Sequence, residues 1–156
     1  MFLKFEKING ESTDKTYANT IDILSWSWGA SQSGTTHMGP GAGAGKVDVQ
    51  DITFSKYVDR SSPTLLNACF TGDHIPTATF IARKAGGAAV EYIKIVMTQV
   101  LVSSVSTGGS GGEERLTETV TLNFASFALD YTPQDAKGAA QAKVPFAWDI
   151  AKNVAG

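Results

Sequence analysis

Apolar and polar residues alternate with a period of two along much of the chain, the pattern of strands buried on one face. Val144, Phe146, Trp148 and Ile150 alternate with Pro145, Ala147 and Asp149. Leu116, Val120, Leu122 and Phe124 share one parity. Thr117, Thr119, Thr121 and Asn123 take the other, which is expected to meet water. The apolar parity then moves to Phe127, Leu129 and Tyr131, and such a change of face implies a bulge or bend near Ala125–Ser126. Two further segments behave alike. Ile21 and Ile23 hand over to Leu24, Trp26 and Trp28, and Val47 and Val49 hand over to Ile52 and Phe54. Several switches in so short a chain predict strongly curved sheets, as in a small barrel.

The segment Val90 to Val102 is apolar on both parities, with Tyr92, Val96 and Val100 against Ile93, Ile95 and Leu101. Such a strand is either covered on both faces or keeps one for a partner chain, so these six residues are candidates for core or subunit interface. Gly86–Gly87 predicts a hairpin joining Ile75–Arg83 to it. One helix is expected over about residues 62–71. Ser61-Ser62-Pro63 would supply an N-cap serine with proline at the first helical position, and Gly72 would close it. Leu66, Cys69 and Phe70 would form its apolar stripe. The expected fold is mainly β: a small curved barrel of two antiparallel sheets with one short flanking helix, in a single domain over 1–156.

Composition narrows the function classes. Apolar residues make up 42% of 156, enough for an ordinary core. The formal charge of −2 leaves no basic excess to neutralise phosphates, so neither nucleic acid nor an anionic membrane is an expected partner. Cys69 is the only cysteine, which rules out an internal disulfide and suits a reducing compartment. Lys4, Glu6 and Lys7 interrupt the first residues, so a signal-peptide core is not expected, and no run approaches the roughly 20 apolar residues of a membrane-spanning helix.

Candidate chemistry is sparse. The loop Gly39-Pro-Gly-Ala-Gly-Ala-Gly-Lys46 invites a phosphate-binding reading, but Pro40 stands where a P-loop needs glycine and Val47 where it needs serine or threonine. A strand pattern, not a helix, follows it. His37 and His74 are the only histidines, and Cys69 belongs to the helix stripe, so neither a nucleophile–base pair nor a metal cluster is expected. Asp48, Asp51 and Asp59 are expected to decorate a solvated or subunit-contacting face. Trp26 and Trp28 are expected in core or interface, since a stacking platform would bring basic neighbours. No catalytic residue, metal or cofactor is expected. On the pattern alone, a soluble β-sandwich binding ligands in a lectin-like manner stays open.

Several stretches resemble one family. They are Ser25-Trp-Ser-Trp-Gly-Ala-Ser-Gln32, Gly41-Ala-Gly-Ala-Gly-Lys-Val47, Phe54-Ser-Lys-Tyr-Val-Asp59 running into Ser61-Ser-Pro63, and Val100-Leu-Val-Ser-Ser-Val-Ser106. His74-Ile-Pro76, Leu122-Asn-Phe124 and Trp148-Asp149 agree in order and spacing. Together they resemble the haemolysin-coregulated proteins (Hcp) of bacterial type VI secretion, from about Phe2 to Asn153. Pro40 departs from the usual unbroken glycine-rich loop. The resemblance implies a homohexameric ring that stacks into a tube, surrounded by contractile sheath proteins, capped by a trimeric valine-glycine-repeat spike and loaded with secreted effectors. It implies a protein assembled in the bacterial cytoplasm and then secreted to the extracellular space or a target cell, with no enzyme activity to transfer.

Within that frame, the segment from Ala30 to Gly45 is expected to join stacked rings. It is longer than most connections in compact domains and can mould onto a neighbour. Ser31, Gln32, Thr35, Thr36 and His37 would supply hydrogen bonds there, and Met38 an adaptable apolar contact. The wet parity of Thr117, Thr119, Thr121 and Asn123 becomes a candidate lumen lining.

Overall fold

The computed structural model describes residues 1–33, 46–84 and 89–156. Thr35, Thr36, His37, Met38, the glycines from Gly39 to Gly45, and Gly86–Gly87 lie outside the described residues. The strands are β1 (Phe2–Phe5), β2 (Ile21–Ser27), β3 (Ala30–Ser31), β4 (Asp48–Val49), β5 (Ile52–Tyr57), β6 (His74–Arg83), β7 (Glu91–Gly108), β8 (Thr117–Asn123), β9 (Ser126–Tyr131), β10 (Val144–Asp149) and β11 (Val154–Ala155). The helix α1 (Ser62–Thr71) lies between β5 and β6. Nine strands form one antiparallel sheet in the order β11-β10-β9-β7-β6-β1-β2-β5-β8, and β8 pairs back onto β7. That last pairing closes β7, β6, β1, β2, β5 and β8 into a six-stranded barrel. Strands β9, β10 and β11 leave it as a wing, and β3 with β4 makes a separate two-stranded ribbon. The expected curved barrel with one short helix is therefore what the chain builds.

The parity switches mark where the sheet bends. Ile23 and Ser25 flank a register shift between β2 and β5. In β7 the core-facing parity is Ile95 and Met97, then Val100 and Val102, with Gln99 between them in the left-handed region at φ 49°. Before that break β7 pairs with β9 along Ile93–Thr98, and after it with β8 along Leu101–Gly108. The bend expected near Ala125–Ser126 is the corner between β8 and β9, held by the Ala125 amide donating to the Thr98 carbonyl at 3.0 Å. The double apolar parity of β7 thus partly records a change of phase along one strand. Leu3, Ile21, Ile52, Phe54, Phe80, Ile95, Met97, Val100, Val120 and Leu122 fill the barrel with no solvent exposure. Gly10 closes the loop before β2, where a Cβ would sit 2.7 Å from the Ile21 Cα.

The helix occupies the expected span but turns a different face to the barrel. Leu65 and Ala68 are buried, Leu66 and Cys69 are half-buried, and Phe70 is 81% exposed, so the stripe expected from Leu66, Cys69 and Phe70 is corrected. A buried ionic cluster sets the phase. Lys56 is fully buried in β5, and its Nζ lies 2.5 Å from Glu118 Oε1 of β8, 3.0 Å from Asp59 Oδ1 and 3.2 Å from Ser62 Oγ. Ser62 Oγ donates to Glu118 at 2.6 Å and accepts from the Asp59 amide at 3.0 Å. Ser61 donates its amide and hydroxyl to Asp59 Oδ1. With Ser61 and Ser62 fixed inward, successive helix turns bring Leu65 and Ala68 to the core. At 3.6 residues per turn Phe70 falls roughly 140° from Leu65. Asp59, expected as surface decoration, is corrected to a member of this cluster. Gly72 ends the helix in the left-handed region at φ 70°, its amide donating to the Ala68 carbonyl.

A second ionic group pins residues 10–20 to the barrel. Arg83 pairs with Asp14 and lies over the rings of Phe2 and Tyr17 at 5.2 and 5.7 Å. The Tyr17 hydroxyl donates to Glu91. The Arg83 hydrogen bond, helped by the amides of Thr16 and Tyr17, lowers the Asp14 carboxyl from 3.8 to about 2 against the opposing effect of burial. Burial first, and then Glu91, raise the Tyr17 phenol above its ordinary range.

Two outcomes follow. Glu118→Ala leaves the buried Lys56 ammonium with Asp59 as its one remaining carboxylate and is expected to cost about 3–5 kcal/mol in equilibrium urea unfolding. Because the folded carboxyl of Asp14 is depressed, its contribution to stability is present above its unfolded pKa and lost as pH falls through about 2. A carbon-detected NMR titration should place the Asp14 midpoint there, and Arg83→Gln should move it back toward 3.8.

Candidate functional site

Two surfaces of opposite chemistry flank the barrel. On the first, strands β2, β5, β8 and β7 turn their core-facing residues inward and hydroxyls outward. The register aligns Ser27, Thr53, Thr121 and Ser104 in one row, and Ser25, Ser55, Thr119 and Ser106 in the next. Thr53 and Thr121 hydroxyls meet at 3.2 Å. Thr117, Thr119 and Asn123 are exposed, and Thr121 is half-buried. Asp51 sits at one end, accepting from Asn123 Nδ2 and Ser103 Oγ at 2.7 Å each. Neither row contains an ionisable side chain. The two rows offer water-like hydrogen bonds, and the Asp51 carboxylate stands at their edge.

The second surface is apolar and belongs to the wing. Strand β7 pairs with β9 and β9 with β10, so core-facing residues continue outward in rows: Ile95 to Leu129 to Phe146, and Ile93 to Tyr131 to Val144. Cover runs out along each row. Ile95 is fully buried, Leu129 is half-buried, and Phe146 is 54% exposed. Tyr131 and Val144 are exposed too. Trp28, Val47, Val49, Leu129, Phe146 and Trp148 surround an open cavity of about 400 Å³ between the wing and the β3–β4 ribbon. Trp28 reaches it from the end of β2, its ring edge-on to Phe127 at 4.7 Å and its indole N–H donating to the Gln50 carbonyl at 2.9 Å. Trp26 instead packs on Phe80 at 4.8 Å. Asp149 closes β10, and its carboxyl is held below the ordinary range by the Lys152 amide and side chain.

The residues singled out from the sequence distribute as follows. Ile95 and Val100 lie in the chain's own core, while Tyr92, Ile93, Val96 and Leu101 are half-buried. The uncovered apolar surface lies next door, on β9 and β10. Ser31 and Gln32 are exposed at the ribbon, where Ser31 pairs with Asp48. Cys69 is half-buried and His74 exposed. Among the described residues, no three His, Cys, Asp or Glu side chains group as a metal site would require. Sequence reasoning missed the Lys56–Asp59–Glu118 cluster. Its signal was present: Lys56 and Glu118 both occupy the buried parity of a strand.

Comparison with known proteins bears on this arrangement. A family described as type VI secretion system effector, Hcp, matches residues 2–131. Protein hcp1 of Pseudomonas aeruginosa is 58% identical over 156 residues, covering 99% of this chain and 96% of that protein. The crystal structure of Hcp1 from Salmonella typhimurium superposes with a TM-score of 0.81 at 37% identity, covering 99% of this chain and 97% of that one. A structure described as a type six secretion system protein gives a TM-score of 0.93 at 28% identity, covering 99% and 98%.

Proposed function

The chain belongs to the Hcp family of type VI secretion proteins, and from that premise we propose that it is the tube subunit itself. Six copies close into a ring, rings stack into an inner tube, a contractile sheath surrounds the tube, and a trimeric valine-glycine-repeat spike caps it. Effectors travel within the lumen, and the subunit acts as their carrier without catalysing a reaction. The tube is assembled in the cytoplasm and leaves the cell with its cargo.

The observation that carries this reading is the uncovered apolar face of β9 and β10. A contact that joins two different patches closes into a ring when its rotation divides a full turn, and such a contact needs apolar surface beyond the subunit's own core. The hydroxyl rows through Thr119 and Thr121, with Thr117 and Asn123 beside them, suit a passage: wettable, with no charge within the rows to trap or repel cargo and only Asp51 at one end. The segment from Ala30 to Gly45 joins one ring to the next, six weak contacts acting together at each junction.

The purified protein is expected to have a mass near six times the 16.5 kDa chain, with rings in negative stain. A light-scattering mass of one or two chains across micromolar concentrations contradicts the ring. Shortening residues 35–44 to a tight linker is expected to leave hexamers intact while tubes and secretion fail. Normal tubes from the shortened protein contradict the stacking role, and loss of hexamers moves the segment to the ring interface.

A further inference from the structure

Resting on the ring reading, we propose that the wing cavity is the acceptor half of a head-to-tail contact between copies of this chain, and that the outward face of α1, led by Phe70, is the donor half. The acceptor is built from Trp28, Val47, Val49, Leu129, Phe146 and Trp148, and none of these carries a charge. Its cavity of about 400 Å³ is open and has room for a phenyl ring.

The donor is argued from what α1 lacks. The chain is 18% charged, yet not one of the ten residues Ser62–Thr71 is. A helix lying on a soluble protein ordinarily carries charge on its outward face. Here that face presents Pro63, Thr64, Asn67 and Phe70, with Phe70 81% exposed, more than any other large apolar side chain on the described surface. The buried cluster at Lys56 fixes this presentation, because it sets the phase that turns Phe70 outward. An uncharged protruding ring and an uncharged apolar cavity match each other in chemistry, and among the described residues neither is filled or covered by another part of its own chain.

The two halves occupy different parts of the molecule. The wing leaves β7 at Ile93–Thr98. The helix lies beside the other half of β7: Ser62 meets Glu118, which stands opposite Thr107, and His74, just past the helix, pairs with Leu101. Distinct patches on one chain give a heterologous contact, in which each copy donates to one neighbour and accepts from the other.

That polarity supplies the test. Phe70→Asp breaks only the donor and Phe146→Asp only the acceptor, and both side chains are more than half exposed within the single chain, so circular dichroism and thermal midpoint should match the parent. Each variant alone is expected to have the mass of one chain. Mixed in equal amounts, they retain one intact contact per pair, so the mass should rise to two chains and stop. Phe70→Leu should assemble like the parent. If either charged variant misfolds, Phe70→Ala or Phe146→Ser replaces it in the same design. A parent ring with Phe70→Asp or Phe146→Asp still in rings overturns this inference and leaves the tube reading standing. So does a mixture that stays as single chains. A parent that is itself a single chain overturns the tube reading and this contact with it.

Discussion

The buried ammonium of Lys56 is the constraint on which the arrangement of this subunit turns. An ionised group taken out of water is tolerated only when its partners satisfy it, because the desolvation cost otherwise dominates. Here the partners come from three places in the chain: Glu118 of β8, Asp59 before α1, and Ser62 in its first turn. Satisfying one charge therefore fixes the pairing of β5 with β8, the entry angle of the helix, and its rotation about its own axis. A helix held by apolar contacts alone could slide or rotate at little cost. This one cannot do so without stranding a charge. The outward direction of Phe70 is a consequence of the same cluster.

Most of the architecture was legible from hydrophobic alternation. The change of parity at Ile23–Leu24 corresponds to a register shift within the barrel, and that near Ala125 to the corner where the chain leaves the barrel for the wing. Proline and glycine marked the ends of α1, since the missing amide of one and the left-handed backbone of the other are local requirements. The rotation of the helix was not local and was misread. Leu66, Cys69 and Phe70 form a plausible stripe when only the helix is considered, but the anchoring serines respond to Lys56 and Glu118 on other strands. Those two charges stand at buried parities, and a charged residue on an apolar parity is the sign that a specific partner waits inside.

The wing explains why the long apolar segment of β7 was ambiguous. Its residues are shared between the barrel core before and after Gln99 and the sheet that continues into β9 and β10. Spacing could show that more apolar surface existed than one small barrel needs. It could not show that the surplus would appear two strands away, at Tyr131, Val144 and Phe146, because that depends on how three strands pair. The fold thereby separates its chemistry by face: charge locked inside at Lys56, apolar surface on the wing, hydroxyls across the rows of β2, β5, β8 and β7.

Those hydroxyl rows also set how the surface responds to its surroundings. Serine and threonine neither gain nor lose a proton in the range any cell encounters, and the rows themselves carry no fixed charge for salt to screen, the Asp51 carboxylate lying beyond their end. A body moving along Ser27, Thr53, Thr121 and Ser104 exchanges one shallow hydrogen bond for another of similar depth, with water free to substitute at every step. The resulting energy profile is nearly flat and stays flat across changes in acidity and ionic strength. Friction along this face is therefore governed by the exchange of water molecules rather than by the breaking of ion pairs.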